Sequence, residues 1–153
     1  MNQELKHFSG NLVSCVAKPD GYPELNIISV YSPAWPVDVA RLKGIDVAPV
    51  KLTQNPDVWV TELLWSALKN ADLSGDKRWV VGGDFNTSET FDETFSSGNA
   101  EVLERMNNLG LTECLRAYKG KLTPTFRNAS DGKVVHQIDH LFVTNNLYSE
   151  IEN

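Results

Sequence analysis

The segment Arg78-Trp79-Val80-Val81-Gly82-Gly83 limits the possible folds more than any other part of the sequence. A short apolar run without polar alternation reads as a strand buried on both faces, which requires a sheet with layers on either side. The two glycines then interrupt the strand, let the backbone turn sharply and let a ligand come close. Residues 11–18 and 24–31 read as two earlier strands around the turn Pro19-Asp20-Gly21. Between them and the central strand, Val60, Leu63, Leu64, Ala67 and Leu68 recur at helical spacing. Asn55 is suited to cap that helix, Pro56 to be its first residue and Asp57 to meet its positive end.

Downstream of Gly83, residues 84–99 read as a polar loop and residues 100–109 as a second helix stopped by Gly110. Residues 111–118 read as a further helical turn or two, and residues 134–143 as the last strand, led in by the turn at Asp131-Gly132. No repeat, low-complexity tract or linker divides the chain. Strands and helices alternate, so residues 1–153 are expected to form one α/β or α+β domain.

Charge narrows the partners. The chain carries a formal net charge of −6, and its 14 basic residues are scattered. A protein that grips long nucleic acid usually presents a basic stripe, because Lys and Arg contacts to phosphate dominate that affinity. Acidity therefore counts against a grip on long duplex, with nucleic acid left open. No apolar stretch approaches the roughly 20 residues needed to span a bilayer. Cys15 and Cys114 lie among apolar residues and read as small buried thiols, a usage that fits a reducing, cytoplasmic setting without establishing the compartment.

The chemistry-bearing segment is Gly82-Gly83-Asp84-Phe85-Asn86. Side chains two apart on extended chain point the same way, so Asp84 and Asn86 share a face. A carboxylate can move a proton or hold a metal, and the amide beside it can donate to a phosphate oxygen. The same residues are equally the composition of a turn whose side chains bond only their own backbone.

The order of segments goes further. Val30-Tyr31-Ser32-Pro33, the helix after Trp59, Val80 to Asn86, Thr123-Pro124-Thr125-Phe126 and Gln137-Ile138-Asp139-His140-Leu141-Phe142-Val143 together resemble the motif series of the endonuclease/exonuclease/phosphatase superfamily. That resemblance implies two mixed β-sheets flanked by helices in a four-layer sandwich, here a partial one. It implies hydrolysis of a phosphodiester or phosphomonoester with Mg²⁺ or Mn²⁺. Tyr31 then matches the tyrosine that bonds the scissile phosphate. Asp84 matches the aspartate that positions or deprotonates water or assists the leaving group, and is a tentative metal ligand. Asn86 matches the asparagine that holds a phosphate oxygen, and Asp139 the aspartate that orients a catalytic histidine. His140, inside an apolar run, matches a supporting position and is expected to be structural. Trp35, in the proline-bounded loop after Tyr31, is the tryptophan placed to reach a substrate.

The family's opening Asn and Glu motifs and its closing Ser-Asp-His are not recognisable here, so the resemblance implies an incomplete site. With few oxygen ligands, tight Mg²⁺ binding is not expected. Two functions follow: a weakly active or inactive piece of a phosphoesterase, or a non-catalytic scaffold that binds phosphate-containing ligands. Incomplete sheets also imply self-association through exposed strand edges.

Overall fold

The computed structural model describes Phe8, residues 10–95 and residues 98–151; Glu4 and His7 lie outside these. Strands β1 (Leu12–Ala17) and β2 (Leu25–Tyr31) form an antiparallel hairpin. Helix α1 (Val60–Asn70) then crosses over to β3 (Arg78–Asp84), which runs parallel to β2. A connection through a helix is what a parallel pair requires. Helices α2 (Glu89–Phe95) and α3 (Asn99–Asn108) follow, then the short strand β4 (Leu111–Glu113) and helix α4 (Cys114–Lys119). Strand β5 (Asp139–Thr144) inserts antiparallel between β3 and β4, and α5 (Asn145–Tyr148) follows it. The five strands make one sheet in the order β1-β2-β3-β5-β4.

The core lies between one face of this sheet and helices α1 and α3. Leu64 and Leu68 of α1 and Met106 of α3 meet Ile28, Val30, Val81 and Phe142 from the strands. Each such side chain contributes roughly 1.5–3 kcal/mol on burial. The other face is open: Val13 is 58% exposed, Tyr31 49% and Leu141 45%. The expected strand buried on both faces is therefore buried on one, with Val81 covered and Val80 partly exposed. The expectation of two sheets in four layers is not met among the described residues, which form one sheet backed by helices.

Several boundaries move for identifiable reasons. Helix α1 starts at Val60 rather than after Asn55, because the Glu62 carboxylate reaches back to accept from the Trp59 backbone N–H. Asn55 instead closes a local turn, accepting from the Asp57 N–H at 3.0 Å. The expected polar loop contains α2, whose Glu89 and Asp92 favour the positive end of a helix. Glu89 also pairs with Arg116 at 2.9 Å. Residues 111–113 pair with β5 instead of coiling; three residues are too few to show a period. The last strand begins at Asp139, because Thr125 Oγ1 takes the N–H groups of Ile138 and Asp139, each at 3.1 Å. Cys15 is exposed on edge strand β1, not buried, and Cys114 is half-buried.

Candidate active site

Strand pairing brings three of the expected site residues abreast. Tyr31 pairs with Asp84 across β2 and β3, and Asp84 pairs with Asp139 across β3 and β5. All three lie at one end of the sheet, on the open face. The glycines before Asp84 serve this register, not the approach of a ligand. Gly83 has φ +141°, and a Cβ there would stand 2.1 Å from the Val30 carbonyl oxygen of β2. A Cβ on Gly82 would meet Leu141 Cδ1 of β5 at 2.9 Å. Only a side-chain-free backbone fits between β2 and β5 at this point.

Asp84 is gripped from its own turn. Asn86 donates from its backbone N–H to Asp84 Oδ1 at 2.9 Å and from its amide to Oδ2 at 3.1 Å. Asn86 sits at φ 46°, a left-handed conformation that Asn tolerates better than most residues. The turn is more than local, because the same amide nitrogen donates to the Ser32 carbonyl at 2.7 Å, 54 residues away. Both amide hydrogens of Asn86 are thus committed within the chain, one to Asp84 and one to the strand end beside Tyr31. Partial burial pushes the Asp84 carboxyl above its ordinary value and the charge of Asp139 adds to this, against the Asn86 hydrogen bonds and His140.

His140 points away from Asp84, into the helix-covered side, and is 5% exposed. Its Nε2–H donates to the Thr87 carbonyl at 2.8 Å, which places the proton on that nitrogen. Nδ1 lies 3.8 Å from Glu113 Oε1, and the ring stands edge-on to Phe85 at 5.4 Å. Glu113 is pushed up by burial but held below its ordinary value overall by the neighbouring His140 and Gln137 side chains and by hydrogen bonds from the Arg116 and Leu141 N–H groups. Glu113 and His140 therefore clamp the loop that follows Asn86. Trp35 is 64% exposed on the loop after Tyr31, and Asp139 is exposed.

The sequence model of the endonuclease/exonuclease/phosphatase family matches residues 6–150. The chain belongs to the endonuclease/exonuclease/phosphatase family. The endonuclease domain of TRAS1, a telomere-specific non-LTR retrotransposon, shares its fold at TM-score 0.55 and 18% identity, covering 94% of this chain and 54% of that one. An endonuclease/exonuclease/phosphatase family protein from Leptotrichia buccalis aligns with TM-score 0.46 and 16% identity, over 88% of this chain and 41% of that one. A beta toxin from Staphylococcus aureus aligns with TM-score 0.45 and 13% identity, over 89% and 43%. The chain spans about half the length of these structures. A search of curated proteins finds no match.

Members of this family are generally divalent-metal-dependent phosphoesterases or nucleases. Among the described residues no group of three or more His, Cys, Asp or Glu side chains stands ready to hold a metal. Two carboxylates do converge, and their mutual repulsion at Asp84 is what a cation would relieve. Two carboxylates alone would hold a divalent ion only loosely. No helix of the described residues is long and apolar enough to cross a membrane.

Sequence reading missed the supports of this family site. Ser32, fully buried, supplies the carbonyl that anchors Asn86. Thr125 fixes the entry to β5, and Gln137, also fully buried, accepts from the Thr123 N–H at 3.1 Å. Their signal was adjacency: Ser32 follows Tyr31, Gln137 precedes Asp139 by two, and Thr125 is central to Thr123-Pro124-Thr125-Phe126.

Proposed function

We propose that this chain carries the central part of a metal-assisted phosphoesterase site, acting on a phosphodiester or phosphomonoester. The observation that supports it is the row Tyr31–Asp84–Asp139 at one sheet end, with Asp84 held by Asn86 and its carboxyl raised. In this reading water attacks phosphorus and its proton passes to Asp84, which Asn86 orients and Asp139 makes more basic. The bond to the leaving oxygen breaks with its electron pair, and that oxygen takes a proton from solvent. The Tyr31 hydroxyl donates to a non-bridging phosphate oxygen. Asp84 and Asp139 would hold a divalent ion, which would supply positive charge to the phosphate. His140 and Glu113 keep the Asn86–Thr87 turn in place. Acidity favours a small phosphate ester over long nucleic acid.

With two carboxylates for the ion, turnover is expected to be slow and to need millimolar Mg²⁺ or Mn²⁺. The test is hydrolysis of bis(4-nitrophenyl) phosphate against metal concentration, with Asp84→Ala beside the wild type. Slow, metal-dependent turnover lost in the variant supports the reading. Phosphate binding without turnover would favour the non-catalytic scaffold, and turnover unchanged in Asp84→Ala would overturn the assignment of Asp84.

A further inference from the structure

Behind Asn86, on the helix side of the sheet, lies a cavity of about 350 Å³. That volume is within the range of small-ligand sites, roughly 300–1,000 Å³. Leu52, Val102 and the rings of Trp59 and Phe91 give it a largely apolar, aromatic wall. Glu62, only 1% exposed, brings a carboxylate to that wall. Each carboxylate oxygen already accepts one hydrogen bond, from the Trp59 N–H and from Thr61 Oγ1 at 3.0 Å. Each retains a lone pair, so the group is positioned and still able to accept. The indole N–H of Trp59 is buried without an acceptor. Among the described residues no Lys or Arg lines the cavity to meet a phosphate. Asn86 forms part of its wall and also holds Asp84, which places the cavity next to the proposed phosphate position.

We propose that this cavity is a pocket for an unstacked nucleobase bearing an amino group, attached to the phosphate that Asp84 addresses. The chemistry of the wall selects it. A flat ring suits apolar and aromatic surroundings, as bases splayed from a single strand do when they rest on aromatic side chains. A carboxylate accepts from an exocyclic amine, as Asp and Glu do from cytosine N4. The absence of basic residues keeps phosphate outside and the base inside. The inference rests on the phosphoesterase reading and names its substrate class: a nucleotide ester or a short single strand, in keeping with the net charge of −6.

The test uses free nucleosides, which carry no phosphate and need no metal. Cytidine, adenosine and guanosine are titrated into the wild-type protein by calorimetry and by indole N–H chemical shifts, with ribose as the control. Ala34, exposed at the cavity wall, gives a blocking variant, Ala34→Trp, that leaves the core untouched. Saturable binding of the nucleosides but not ribose is expected, weakened about tenfold by Glu62→Gln and abolished by Ala34→Trp. Nucleoside binding no stronger than ribose, or unchanged in both variants, overturns the pocket. Hydrolysis of bis(4-nitrophenyl) phosphate by the wild type is followed in parallel. Hydrolysis without nucleoside binding sinks the pocket and leaves the phosphoesterase reading standing; nucleoside binding without hydrolysis does the reverse.

Discussion

Glu62→Gln is the substitution whose effect can be worked furthest from the structure. Glu62 is 1% exposed, and burial pushes its carboxyl up to about 7 from an ordinary 4.5. The hydrogen bonds from Trp59 and Thr61 and the charge of Arg105 oppose that rise, while the charge of Glu101 adds to it. The folded chain thus holds this proton more tightly than the unfolded one. Its contribution to stability is fully present below pH 4.5, declines as pH rises from 4.5 to about 7, and is lost above that. At about 1.4 kcal/mol for each tenfold difference in proton affinity, the loss at pH 8 is about 3 kcal/mol. Glutamine keeps the shape and stays neutral, and the opposing bond from the Trp59 N–H is already included in that balance. Net stabilisation at pH 8 is then about 3 kcal/mol, or roughly 6–12 °C in Tm. At pH 4 the two proteins should melt within a degree or two of each other. The assay is thermal unfolding of both across pH 4–8. A variant that melts at or below the wild type at pH 8, or whose advantage does not grow with pH, would refute the reasoning. Combined with weaker nucleoside binding, a more stable variant would mark Glu62 as kept for a ligand at the expense of stability.

Other substitutions probe the remaining parts. Gly83→Ala places a Cβ against the Val30 carbonyl, so it should cost about 3 kcal/mol or more in a denaturant titration. His140→Phe keeps the packing between Phe85 and Phe142 but removes the bond to the Thr87 carbonyl. It should lower stability by about 1–3 kcal/mol and slow turnover; an unchanged Tm would count against the clamp. Edge strand β1 exposes Val13 and Val16, so the protein is expected to self-associate through it. Light scattering at high concentration should show dimers or larger species that Val16→Lys reduces, and a monodisperse wild-type monomer would contradict this.

How much was legible in the sequence depended on whether a residue's neighbours were near in the chain. The β1–β2 hairpin, α1, β3 and α3 were readable because turn residues and apolar spacing act locally. β4 and the start of β5 were not, since pairing with a distant strand and the Thr125 hydroxyl decide them. Asp84, Asn86, Tyr31 and Asp139 could be picked out by motif, yet their grouping is a product of strand register. The role of the glycines was misjudged because Gly83 answers to Val30, 53 residues earlier in the sequence. Glu62 escaped notice for a similar reason. On a helical wheel it is one acidic residue in a first turn, and only packing against α3 and the loop before α1 buries it.

The central claim is that Asp84 is a carboxylate tuned by Asp139 and oriented by Asn86 to take a proton at the phosphate. Carbon-detected NMR titration of the Asp84 carboxyl, in the wild type and in Asp139→Asn, tests it most directly because it needs no turnover. Asp84 should titrate above the ordinary aspartate value of 3.8 in the wild type. In Asp139→Asn it should move down toward that value, and millimolar Mg²⁺ should lower it in the wild type. An Asp84 that titrates as an ordinary surface aspartate, indifferent to Asp139 and to the ion, would contradict the account.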